Sequence, residues 1–287
     1  MPVLPAFSSM SPAQNRAATL AELRLWLSGH PGWPQTLQAK LRFDLAALDC
    51  YLPNGGLACG ALHEIVPAKQ AAFPAAFGFI VAVLARFISP PPPPSSLHLD
   101  SRKHGPGGGT NKQIIFVMPD HRSRQCGRLS GHGLNGLGFD PGRAILVETA
   151  DRHDSLWALL EALRSGAPQA VVGMIDRLDL KTSQKLHLAA TDAGLPLLLL
   201  RPSQTLESSA ASTRWRIGTA AAARDRFGSY AHPRWRLQLE RCRNGRPGEW
   251  VVEYDHVAHR FSLVAALADQ TLSRSTGEEP RWQANRS

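Results

Sequence analysis

The residues of this chain that could do chemistry fall in three groups. The first is Val66-Pro67-Ala68-Lys69-Gln70-Ala71-Ala72-Phe73, between a short predicted strand, Leu62–Ile65, and a long apolar run. A loop placed between strand and helix can hold a phosphate when it reads G-x-x-x-x-G-K-[ST]. The glycines let backbone N–H groups wrap the phosphates, the lysine neutralises them and the hydroxyl binds Mg²⁺. Here Pro67, Ala68, Lys69, Gln70 and Ala71 supply no glycine and no hydroxyl, and the one lysine is followed by Gln70. Lys69 reads more simply as a solvated loop lysine.

The second group is two acids at the ends of later predicted strands: Asp120 after Gln113–Pro119, and Asp176 after Val171–Ile175. A carboxylate there could order Mg²⁺ or a water beside a nucleotide. Asp176 falls one place late, with Met174 where a carboxylate would serve better. Each acid has a plainer use, Asp120 as a cap and Asp176 at the turn before Arg177. The third group is arginine: Arg122, Arg124 and Arg128 in one basic run, and Arg214, Arg216, Arg234 and Arg236 in two alternating stretches. Side chains two apart on a strand share a face, so each alternating pair points together, toward phosphates or an acidic partner. The plain alternative is a charged sheet face that discourages aggregation.

Other chemistries lack their grammar. Cys50, Cys59, Cys126 and Cys242 form no C-x-x-C pair, which fits reduced thiols in the cytoplasm. No G-x-S-x-G elbow occurs. His121, His132 and His153 have no i, i+4 spacing, so no metal and no cofactor is expected. The formal net charge is +9, with 26 Arg against 6 Lys. A basic balance can draw a protein to nucleic acid, although so strong an arginine bias can also come from base composition.

These groups need a scaffold. An apolar content of 43% with 19% charged residues in 287 is ordinary for a globular protein with a substantial core. The longest uncharged apolar run, Ala71–Ala85, falls short of the roughly 20 residues of a membrane span, so a buried helix and no membrane partner are expected. The opening MPVLPAFSSMSPAQNR lacks a basic segment followed by an apolar core, so no secretory signal is expected. A first helix is predicted over 11–28, with Ser11-Pro12 as its start and Leu20, Leu23 and Leu27 on one face. After the loop, Phe73, Phe77, Val81, Leu84 and Ile88 keep helical spacing until Pro90–Pro94. Strands at Gln113–Pro119, Ala144–Glu148, Ala170–Ile175 and Leu195–Leu200 alternate with helices at Asp154–Ser165 and Thr182–Ala193. That alternation implies βαβ units and a mostly parallel sheet. From Thr213 the pattern becomes strand upon strand: Thr213–Thr219, Arg234–Cys242 and Glu249–His256, with Phe261–Leu267 open between strand and helix. The expected organisation is an N-terminal helix and linker over 1–35, a core over 36–268 broken by a flexible Pro/Gly insertion at 89–112, and a polar, disordered tail over 269–287.

This order of pieces resembles the RecA-like P-loop NTPase core. LDCYLPNGGLACGALHEI, Leu48–Ile65, is similar to the RecA entry motif, in which a GGL-x-x-G turn leads into the strand before the phosphate loop. The nearer likeness is to the ImuA family of RecA-like, SOS-associated mutagenesis proteins. It is carried by GALHEI at Gly60–Ile65, AAFGFIVAVLAR at Ala75–Arg86, LDLKTSQKLHLAATDAGLPLLLLRP at Leu178–Pro202 and RWRLQLERCRNGRPGEWVVEYDHVAHRFSL at Arg234–Leu263. The likeness covers about residues 20–267. It implies an α/β fold with a mostly parallel central sheet flanked by helices and a C-terminal antiparallel extension. It also implies a non-catalytic role in error-prone translesion synthesis, with an ImuB-like inactive Y-family polymerase and an error-prone C-family DNA polymerase as partners, and RecA and DNA as further candidates. Two other readings stay open: a DNA-stimulated ATPase with an atypical loop, and a cell-division or stress inhibitor of the same fold.

Overall fold

The computed structural model describes residues 40–88, 113–204, 207–222, 228 and 232–264. The expected helix over 11–28, the insertion at 89–112 and the tail from 269 lie outside them. Two short strands, β1 (Lys40–Leu41) and β2 (Leu57–Ala58), pair antiparallel, with the four-residue helix α1 (Ala46–Asp49) between them. Gly56 is needed here, because a Cβ on it would lie 2.9 Å from Leu41 O.

Strand β3 (Leu62–Pro67) leads through a 3-10 turn (Gln70–Ala72) into helix α2 (Phe73–Ile88). There follow β4 (Ile114–Pro119), α3 (Asp120–Cys126), α4 (Gly131–Gly136), β5 (Ala144–Thr149), α5 (Arg152–Arg164), β6 (Ala170–Met174), α6 (Leu180–Ala193) and β7 (Leu197–Leu200). Asp151 and Asp179 cap α5 and α6 by accepting from Asp154 N and Thr182 N, and Gly194, at φ +66°, closes α6. The chain ends its described part in β8 (Thr213–Thr219), β9 (Arg234–Cys242), β10 (Gly248–Asp255) and β11 (Arg260–Leu263).

Nine of these strands form one sheet in the order β11-β10-β9-β8-β3-β7-β6-β4-β5. The pairings from β5 across to β8 are parallel, and those from β8 to β11 are antiparallel. The last strands therefore extend the parallel sheet. The segment Phe261–Leu267, open in the sequence, is a strand over Arg260–Leu263. Alternation along the ribbon puts Trp235 opposite Val252 and Leu237 opposite Trp250, with their apolar face inward.

Helices cover both faces. On one, α2 packs with Trp215, Trp235 and Phe261 of the ribbon, and Phe43 stacks on Phe79 at 6.0 Å. On the other, Leu159 and Leu163 of α5 and Leu186 of α6 meet Leu197 and Leu199 of β7. By length and composition alone, Gln70–Ile88 would pass for a membrane span. Ten of the sixteen residues of α2 are instead buried in this fold, as expected for a helix that is apolar all round.

Strand β3 stands between the parallel and antiparallel halves with all six residues buried, His63 and Glu64 among them. Ala58 O can only accept, so His63 Nε2 carries the proton and donates to it at 2.9 Å. His63 Nδ1 then accepts from Thr213 Oγ1 at 2.8 Å, and that hydroxyl accepts from Trp215 Nε1 at 3.0 Å. On the opposite face Glu64 accepts from Arg214 Nε at 2.8 Å and lies 3.9 Å from Arg201 Nε. Arg201, 1% exposed, donates through Nη2 to Glu207 at 2.6 Å, and Glu207 also accepts from Leu178 N at 3.1 Å. The bond from Leu178 N and the charge of Arg201 hold the Glu207 carboxyl below its ordinary range. The cluster joins β3, the end of β7, β8 and the approach to α6 around charges that burial would otherwise penalise heavily.

Two measurable consequences follow for stability. Burial lowers the His63 pKa from 6.5 to about 4, so the folded protein keeps the ring neutral where the unfolded chain protonates it. Stability is therefore lost as pH falls from 6.5 toward 4, by up to about 3 kcal/mol from this group. Urea midpoints at pH 7 and pH 4.5 should differ more in the wild type than in His63→Gln. Arg201→Met strands Glu64 with one partner and should cost about 3–5 kcal/mol in urea unfolding at pH 7; adding Glu64→Gln should recover part of that loss.

Candidate functional site

In open α/β sheets, ligands sit outside the carboxyl ends of the strands. Here that edge holds the loop after β3, the start of α3 after β4 and the turn after β6. The loop is shorter than the sequence suggests. Val66 pairs with Arg216 and Pro67 with Ile217, so both belong to β3. Ala68 and Lys69 alone form the turn, and Gln70 and Ala71 are already in the 3-10 turn. Its N–H groups are partly spent: Ala68 N donates to Ile217 O at 2.7 Å and Ala72 N to Lys69 O at 2.9 Å. Lys69 is exposed, and among the described residues no carboxylate lies within 4.0 Å of it. A phosphate cradle needs several N–H groups converging on one point; here Ala68 N is turned into the sheet and Ala72 N closes the 3-10 turn.

Beside the turn lies an apolar cleft of about 230 Å³ between α2 and the α3–α4 segment, walled by Phe73, Phe77, Val81, Met118, Leu134 and Met174, with Arg128 also in its lining. Its walls suit an apolar side chain better than a polyphosphate.

The two acids are engaged with their own neighbours. Asp120 opens α3 and pairs with Arg124 one turn on. Asp176 takes Arg122 on Oδ1, with Nε at 3.0 Å, and His121 Nε2 on Oδ2 at 3.0 Å. Burial works against its ionisation, but the hydrogen bonds and charges of Arg122 and His121 together hold its carboxyl below the usual value. Arg122 lies 5.7 Å over the Phe73 ring, and its side chain is only 12% exposed. It thus ties the ends of β4 and β6 to the first turn of α2.

The other candidate arginines are also paired. Arg128 meets Glu148 at 3.2 Å and Arg214 meets Glu64 at 2.8 Å. Arg216 pairs with Glu240, Arg234 with Glu253 at 2.6 Å and Arg236 with Glu249 at 3.4 Å. The acidic partner that alternation implies is therefore a neighbouring strand for all four: β3 for Arg214, β9 for Arg216, and β10 for Arg234 and Arg236. Cross-strand pairs of this kind stabilise a sheet face open to water.

Glu64, Arg201 and Glu207 are not among the residues that the sequence singles out. The available signal was a carboxylate inside an otherwise apolar strand, Leu62-His63-Glu64-Ile65, and an arginine directly after four leucines. Among the described residues, one grouping has ligand atoms within 4.8 Å of one another: Asp151, His153 and Asp154. All three are exposed, and Asp151 already caps α5.

No family model matches the chain. Two curated proteins do, both "Protein ImuA" from Caulobacter vibrioides, strains NA1000 / CB15N and ATCC 19089 / CIP 103742 / CB 15. Each is 33% identical over 252 residues, spanning 81% of this chain and 92% of the relative. At that identity and coverage, the chain belongs to the ImuA family.

Proposed function

We propose that this chain is a RecA-shaped, non-catalytic accessory protein of error-prone translesion synthesis in the SOS response to DNA damage. It works in the cytoplasm through protein–protein contacts, with DNA contact by its basic ribbon as a secondary role. Membership of the ImuA family supplies the pathway. The single observation that most favours a non-catalytic role is the turn after β3. It has no glycine, it turns Ala68 N into the sheet, and it stands beside an apolar cleft. The RecA-like reading of the fold is supported by the central β3, the buried α2 that follows it and the parallel strands on both sides of β3.

The partners follow from the family resemblance: an ImuB-like inactive Y-family polymerase, an error-prone C-family DNA polymerase, and RecA. Tagged full-length protein purified from DNA-damaged cells should bring down both polymerase-type partners at well above their level in undamaged cells. Recovery of a division protein with no polymerase would overturn the reading.

A further inference from the structure

Seven arginines singled out by the sequence are spent on carboxylates of the same chain, but one near the end of β9 and one just past it are not. Arg241 and Arg243 are exposed, and among the described residues neither has a carboxylate within 4.0 Å. Backbone carbonyls hold them instead: Arg241 Nη1 donates to Ser209 O at 2.7 Å and Arg243 Nη2 to Ala210 O at 3.3 Å. Strict alternation would send Arg241 to the core side with Leu239. The bulge opposite Arg214/Trp215 re-aims it, placing Arg241 across from Arg214 on the outer face.

That face meets α6 at His187. Leu62 N and Arg243 Nη1 are both donors facing His187, at 3.3 Å from Nδ1 and 3.4 Å from Nε2. A neutral ring can accept from one of them; when it accepts from Leu62 N its proton lies on Nε2. In that tautomer the Nε2–H and the Arg243 guanidinium face each other across one point, and a carboxylate oxygen placed there would accept from both. Burial, and then the charge of Arg243, keep the His187 pKa below its ordinary value, consistent with locally positive potential. The groove holds about 380 Å³ and is lined also by Gln184, Leu180 and Leu188. The two leucines are 47% and 59% exposed. Protein–DNA interfaces are polar and strongly basic, whereas leucines flanking two cations suit a peptide that alternates acid and apolar side chains.

We propose that this groove binds an acidic, leucine-bearing segment of a protein partner, with Arg241, Arg243 and His187 holding a carboxylate and Leu180 and Leu188 taking its apolar neighbours. The inference rests on the proposed function only in taking the partner to be a protein.

The test uses the full chain and a fluorescein-labelled acidic peptide, Leu-Asp-Glu-Leu-Leu-Glu-Asp-Leu, read by anisotropy beside its Asn/Gln counterpart. The acidic peptide should bind saturably and the amide version at least roughly tenfold more weakly. Arg243→Gln should cause a similar loss, and Leu188→Glu, an exposed change that sets a carboxylate in the groove, should abolish binding. Arg164→Gln, on the outside of α5, should change nothing. Equal binding of the two peptides, no saturable binding, or indifference to both Arg243→Gln and Leu188→Glu would overturn the proposal. So would displacement of the peptide by a single-stranded oligonucleotide whose own binding depends on Arg243. A gain in affinity on Glu278→Gln/Glu279→Gln would name the chain's own tail as the occupant and overturn it too. If the Arg243→Gln protein still recovers its polymerase partners from damaged cells at wild-type level, the groove is excluded while the proposed function stands.

Discussion

A carboxylate in the middle of a fully buried strand is the constraint on which the rest of this structure depends. Glu64 has no exposed surface, and β3 carries it between the parallel and the antiparallel halves of the sheet. A charge in that place is tolerable only with cations brought to it. Arg214 comes from β8 on one side and Arg201 from the end of β7 on the other. Glu207 then balances Arg201 and fixes the approach to α6 through Leu178 N. Two strands and the segment before a helix are thus referenced to one side chain, while His63, on the opposite face, ties β3 to β2 and β8 through Ala58 O and Thr213.

The elements governed by local periodicity were legible in the sequence. The spacing of Phe73, Phe77, Val81, Leu84 and Ile88 marks α2, and Asp179 and Gly194 bracket α6. The alternation of Trp235, Leu237 and Leu239 gives β9 its face. Less legible was whatever depends on pairing between distant segments. Val66 and Pro67 look like loop until β8 is seen beside them. Glu64 and Arg214 lie 150 positions apart, and neither announces the other. Arg216, Arg234 and Arg236 point together as the alternation implies, but only the register with Glu240, Glu253 and Glu249 reveals that their charge is met within the sheet. The bulge that turns Arg241 outward has no glycine to mark it on β9.

The turn after β3 can be read in the light of these features. A strand precedes the turn, a buried helix follows it, and Asp120 and Asp176 stand just past the ends of β4 and β6. Arg122 links Asp176 to the start of α2 by binding its carboxylate and covering Phe73. Of the candidate groups at this edge of the sheet, Asp176 is the one bound across elements, by Arg122 and His121, beside an apolar cleft; Asp120 pairs within its own helix with Arg124. Such an edge is suited to presenting a fixed surface to another protein.

The most direct measurement is isothermal titration of the full-length protein with ATP in the presence of Mg²⁺. A turn that holds no nucleotide gives no saturable heat up to about 1 mM nucleotide, the range in which an intact site would be filled. Saturable, Mg²⁺-dependent binding that disappears in Lys69→Ala would contradict it.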